Sequence, residues 1–80
     1  MNYQKLDAVK IGNKLKALRT EKALTMDEEA KALGISTSAV GMYENGERIP
    51  RDEIKIRFAE FFMVTVESIF FQNEQHEACC

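Results

Sequence analysis

The sequence is poor in the residues that build metal, catalytic or membrane chemistry, and each shortage removes a class of function. Histidine occurs once, at His76, and the only cysteines are the last two residues, Cys79 and Cys80. A structural zinc site takes four ligands, so three candidates crowded into a terminus do not complete one. Vicinal cysteines are also poorly placed for a simple loop disulfide, which leaves free thiols in a reducing compartment as the expected state. No apolar run approaches the roughly 20 residues of a membrane helix. The start, MNYQKLDAVK, has neither an apolar signal segment nor a small-residue cleavage site, and a cytoplasmic protein is expected. The four glycines form no phosphate-cradling loop, and no Ser or Cys has a base at a spacing suited to nucleophilic attack. An enzyme, a bound metal and a bound cofactor are therefore not expected.

What is present describes one small globular unit. Eighty residues bury only about 60% of the surface their unfolded chain exposes, enough for a single core. Hydrophobic residues make up 45% and charged residues 30%, the balance of a folded soluble domain rather than a disordered tail. The net charge of −2 is unevenly spread. Residues 1–22 hold six Lys or Arg against two acids, a local +4, whereas residues 23–50 hold two against five, a local −3. A uniform basic coat is excluded as the basis of any nucleic-acid binding.

Periodicity divides the chain into five helices with no internal repeat. Ile11, Leu15 and Leu18 recur at the spacing of one helical face, predicting helix 1 over about 7–22 with Asp7 as its N-cap. Lys10, Lys14, Lys16 and Lys22 fall largely on the opposite, solvated face. Thr25 followed by Asp27 and Glu28 reads as a capped start with a capping-box spacing, and Gly34 as the left-handed stop, giving helix 2 over 26–33. Ser36 caps helix 3 over 37–44, which ends at Asn45-Gly46. Pro50 breaks the next loop and introduces helix 4 over about 51–62, and helix 5 covers 65–71, starting near Thr65. Residues 72–80 read as a polar tail, leaving 1–71 as the domain.

Two short helices joined by Gly34-Ile35-Ser36 describe a helix-turn-helix over residues 26–45. In order along the chain stand IGNKLKALR, LT with an acidic first turn, Ala30 with Leu33-Gly34-Ile35-Ser36, SAVGMYENGERIP and FFMVTVESIF. With these pieces the chain resembles the lambda-repressor-like, Xre/Cro-type helix-turn-helix family from about Ile11 to Phe70. The resemblance implies an all-α, compact five-helix DNA-binding domain and a sequence-specific transcriptional regulator, a repressor of bacterial or phage type. The same scaffold also serves as a protein-interaction module, such as an antitoxin, an anti-repressor or a partner subunit that reads no DNA.

The resemblance further implies a partly buried salt bridge between Arg19 and Glu44, with Arg19 also turned toward a DNA phosphate. It places Thr37–Glu44 in the major groove of double-stranded DNA. There Thr37, Ser38 and Met42 project outward while Val40 and Tyr43 turn in. Thr37 and Ser38 can bond to phosphate or base edges and Met42 can press on a thymine methyl, but no Arg, Lys, Gln or Asn precedes Asn45 to make a bidentate base contact. Asn45, Gly46, Arg48 and Arg51 follow as backbone clamps. Gly41 places bare backbone where the family often has a long side chain, which implies close approach to the groove wall.

Three positions depart from the family pattern. Met26 stands where a polar residue usually grips phosphate, and the adjacent Asp27 and Glu28 repel the DNA backbone. Glu29 takes a core position that is generally Leu, and its carboxylate is expected to swing to the surface, with pairing to a helix 1 base or burial at a partner interface as alternatives. Met63 replaces the usual Gly after helix 4, at a cost of about 1 kcal/mol if the left-handed conformation is kept. Ile54, Phe58, Phe62, Val66 and Ile69 suffice to close onto Leu15, Leu18, Leu33, Ile35 and Val40. Phe61, Phe70 and Phe71 are then left either as overfull core or as the patch of a homodimer on a palindromic operator. Nothing in the sequence marks a separate small-molecule ligand domain.

Overall fold

A computed structural model describes the backbone of residues 3–71 and the side chains of residues 8–71. Its five helices are α1 (Tyr3–Glu21), α2 (Met26–Leu33), α3 (Thr37–Glu44), α4 (Asp52–Phe62) and α5 (Val66–Phe70), and no strand occurs among the described residues. The local rules of capping decide most boundaries. Thr25 and Glu28 form a complete capping box: the Thr25 hydroxyl accepts from the Glu28 amide and the Glu28 carboxylate accepts from the Thr25 amide. Ser36 and Thr65 cap α3 and α5 through their hydroxyls without the reciprocal half of the box, accepting from the amides of Ala39 and Ser68. Gly34, at φ 76°, closes α2 in the left-handed conformation.

One boundary differs from the sequence reading by a full turn, while α4 and α5 start one residue later and α1 and α5 end one residue earlier than read. Helix α1 already begins at Tyr3, so residue 7 lies inside it and Asp7 is not an N-cap. The stretch Tyr3-Gln4-Lys5-Leu6 contains no helix breaker, and helix propagation costs little once a longer helix is nucleated behind it. His76, Cys79, Cys80 and the tail as a whole lie outside the described residues.

The core forms where α1, α3, α4 and α5 converge. Leu15, Val40 and Phe58 are fully enclosed, and Ile11, Leu33, Tyr43, Phe62, Ile69 and Phe70 complete the buried set. Phe58 is its hub, meeting the Tyr43 ring edge-on at 6.0 Å, Phe62 at 6.4 Å and Phe70 at 6.3 Å, so a single side chain of α4 links α3 to α5. Leu18, Ile35, Ile54, Phe61 and Val66 pack around this centre while remaining partly exposed.

Phe70 therefore corrects an expectation. It lies in the core rather than on an exposed patch, because the short α5 turns it inward beside Ile69 against Phe58. Of the three surplus aromatics only Phe71 is well exposed, at 57%, and Lys55 covers one side of its ring with the ammonium 5.0 Å from the centroid. Phe61 is half-buried against Phe62.

Candidate nucleic-acid interface

The helix pair α2–α3 owes its angle to small residues and to one ion pair. Ala30 of α2 and Val40 of α3 are both buried where the two short helices pack. From α1, the Arg19 guanidinium grips Glu44 with two hydrogen bonds, Nε to Oε2 at 2.7 Å and Nη2 to Oε1 at 3.0 Å. Its Nη1 donates to the Leu24 carbonyl at 2.9 Å. Arg19 thus ties the end of α3 to the loop that introduces α2, and hydrogen bonding to Glu44 raises its already high proton affinity further. Three of the five guanidinium N–H donors are used, leaving two for an outside acceptor.

This contact needs α1 and α3 to lie very close together. A Cβ at Gly12 would stand 2.4 Å from the Glu44 carbonyl oxygen and 2.7 Å from that of Tyr43. At Gly46, φ 77°, a Cβ would stand 3.0 Å from the Cα of Val9. Gly46 was legible as a helix stop, whereas the role of Gly12 does not follow from spacing. The available signal was a glycine inside an otherwise uninterrupted helix, which costs about 1 kcal/mol unless packing requires it.

The outer face of α3 carries Thr37 and Ser38 exposed and Met42 half-buried, while Val40, Tyr43 and Glu44 turn inward. At Gly41 an added Cβ meets nothing within 4 Å, so this side of the helix is open. Thr37 is not a free donor: its hydroxyl donates to Asp27 Oδ1 at 2.6 Å, across the turn. Asp27 is therefore a brace between α2 and α3, and Ser38 is left as the unengaged hydroxyl at the start of α3. Met26, at the first position of α2, is half-buried.

Beyond α3, Asn45 is the exposed C-cap and Arg48 and Arg51 are both exposed. The fold brings these two arginines to one cleft with Gly34, Ile35, Tyr43 and a third arginine, Arg57. The Arg57 guanidinium donates to the Leu33 carbonyl at 3.0 Å, satisfying an otherwise open acceptor at the end of α2, and approaches Glu53 at 3.5 Å. No sequence spacing pointed to Arg57, since its partner lies on another helix 24 residues away.

Glu29 overturns a further expectation. Rather than swinging to solvent, its side chain is fully enclosed, and neither carboxylate oxygen has a hydrogen-bond partner in the ionised form. It lies on the inward side of α2 with Ala30 and Leu33, the other buried residues of that helix. Burial, then the charge of Glu44, pushes its pKa from 4.5 up to about 7, against the opposing pull of Arg19.

Five helices around one core, with a capped short pair α2–α3 whose second member presents an open face, define a helix-turn-helix domain. Residues 15–69 match the helix-turn-helix family, and the chain belongs to that family, of lambda-repressor-like, Xre/Cro-type proteins. It is similar to an uncharacterized HTH-type transcriptional regulator of Methanocaldococcus jannaschii, 36% identical over 62 residues that cover 78% of this chain and 94% of that protein. It is 32% identical over 72 residues to the HTH-type transcriptional repressor RghR of Bacillus subtilis, covering 84% of this chain and 53% of that one. Among solved structures, the restriction-modification controller protein C.AhdI of Aeromonas hydrophila superposes with a TM-score of 0.75 at 31% identity, over 81% of this chain and 98% of its own.

Proposed function

We propose that this helix-turn-helix transcriptional regulator is a sequence-specific repressor that places α3 in the major groove of double-stranded DNA and binds a palindromic operator as a homodimer. One observation carries the reading: the outer side of α3 is open at Gly41, beside exposed Ser38, and runs directly into a loop that supplies Arg48 and Arg51. A bare backbone at Gly41 lets the helix approach the groove closely, while the arginines hold the flanking phosphates. With few strong base readers on α3, specificity falls on groove shape, ordered water and the spacing of two half-sites, about one DNA turn or ~34 Å apart. Arg19 has two N–H donors left for a phosphate, and the exposed Asn45 stands at the same end of α3, where the Gly46 amide already donates to the Tyr43 carbonyl at 3.2 Å.

The homodimer reading draws on the exposed apolar groups of the α4–α5 end, Ile56, Met63, Val64 and Phe71, with Phe61 partly exposed among them. The family reading carries with it a protein without catalytic chemistry, working in the cytoplasm. No helix among the described residues is long and apolar enough to cross a membrane.

A second reading keeps the scaffold and drops the DNA. The acids of α2 and the loss of the Thr37 hydroxyl to Asp27 favour a protein-interaction module. Selection from a random double-stranded DNA pool with the purified protein, at low and near-physiological salt, separates the two. A palindromic motif whose affinity falls steeply with salt supports the repressor; no enriched motif even at low salt discards it in favour of the interaction module.

A further inference from the structure

Arg19, Glu29 and Glu44 come one each from the first three helices and meet in the interior of the domain. Glu29 is completely buried and Glu44 nearly so, with one guanidinium between α1 and α3 to balance them. With both acids ionised this group carries a net buried charge of −1, and Glu29 has nothing to accept from. With one proton on Glu29 the group is neutral. The Glu29 O–H can then be donated to Glu44, whose carboxylate still accepts from Arg19. Two carboxylates can share a hydrogen bond only when one of them carries a proton.

We infer that Glu29 is a positioning residue that acts as a proton-dependent latch: protonated, it closes α2 onto the Arg19–Glu44 pair, and ionised, it loosens the helix-turn-helix. The charged groups around it are few. Arg19 faces it from α1 and Glu44 from α3. On α4, Arg57 pairs with Glu53 and donates to the Leu33 carbonyl, a full turn farther along α2. On α2 itself Asp27 and Glu28 are exposed and engaged in the Thr37 brace and the capping box, and Lys31 is exposed.

The direction follows from linkage. A carboxyl whose proton affinity is higher in the folded than in the unfolded chain contributes stability that is complete below the unfolded pKa. That contribution is lost as pH rises through the folded value, here between 4.5 and about 7. The test compares wild-type protein with Glu29→Gln, which keeps the size of the side chain and can donate an N–H to Glu44 at every pH. Urea unfolding is followed from pH 5 to pH 8, and the Glu29 side-chain carboxyl carbon of the wild type is titrated by NMR. Over that range the unfolding constant of the wild type is expected to rise on the order of a hundredfold relative to the variant, since each pH unit in the window is worth a factor of ten. The NMR midpoint is expected near 7. A midpoint at or below 4.5 overturns the latch, as do parallel stability curves. If the variant does not fold, the wild-type titration alone still decides.

Discussion

Arg19 and Glu44, 25 residues apart in sequence, are joined by two parallel hydrogen bonds of 2.7 and 3.0 Å, and this bond fixes α3 against α1. Replacing Arg19 by Ala leaves two buried carboxyl groups without a cation, a loss expected to cost about 3–5 kcal/mol. Arg19→Lys should recover only part of it, because an ammonium cannot reproduce the planar two-point grip. Urea unfolding of the three proteins measures both; a loss below about 1 kcal/mol in Arg19→Ala would show the pair to be energetically idle.

Two glycines on neighbouring helices should respond to the same substitution with opposite signs. Gly12→Ala drives a methyl group to within 2.4 Å of the Glu44 carbonyl oxygen and should destabilise the domain by several kcal/mol, as overpacking against backbone does. Gly41→Ala meets no atom within 4 Å and should stabilise α3 by about 1 kcal/mol. If α3 enters the groove as proposed, Gly41→Ala should at the same time weaken operator binding. Thermal unfolding and a DNA titration on the same two variants check the signs.

Met63 stands in the left-handed region at φ 57° and is 83% exposed, so it bears the steric cost of that conformation with little packing in return. Met63→Gly is expected to raise stability by about 1 kcal/mol. A lower urea midpoint for the variant would mean that the exposed methionine is covered by something, and a shift in sedimentation would say whether that is a second copy.

Arg48 and Arg51 both line the cleft next to α3, and each is expected to neutralise one phosphate. Arg48→Ala and Arg51→Ala should weaken all DNA sequences about equally and each reduce the slope of log affinity against log salt by about one. An unchanged slope for either removes that residue from the interface.

The elements whose information is local were readable without coordinates. Thr25, Glu28, Gly34, Ser36 and Thr65 act through backbone groups within a few residues, and each does in the structure what capping rules require of it. Family resemblance extended this to the Arg19–Glu44 pair. It did not extend to Arg57, whose acceptor is the Leu33 carbonyl on another helix, nor to Thr37, whose hydrogen goes to Asp27 rather than outward.

What the sequence alone determined, then, was the number and type of helices and the turn chemistry that makes α2–α3 a helix-turn-helix, because capping, periodicity and left-handed stops are short-range effects. Only the tertiary structure decided the fate of side chains whose environment is built from several helices. Phe70 is drawn into the core by Phe58, and Glu29 is held inside beside Arg19 and Glu44. A carboxylate's preference for water is a property of the residue. Whether it can reach water depends on how the helices around it close.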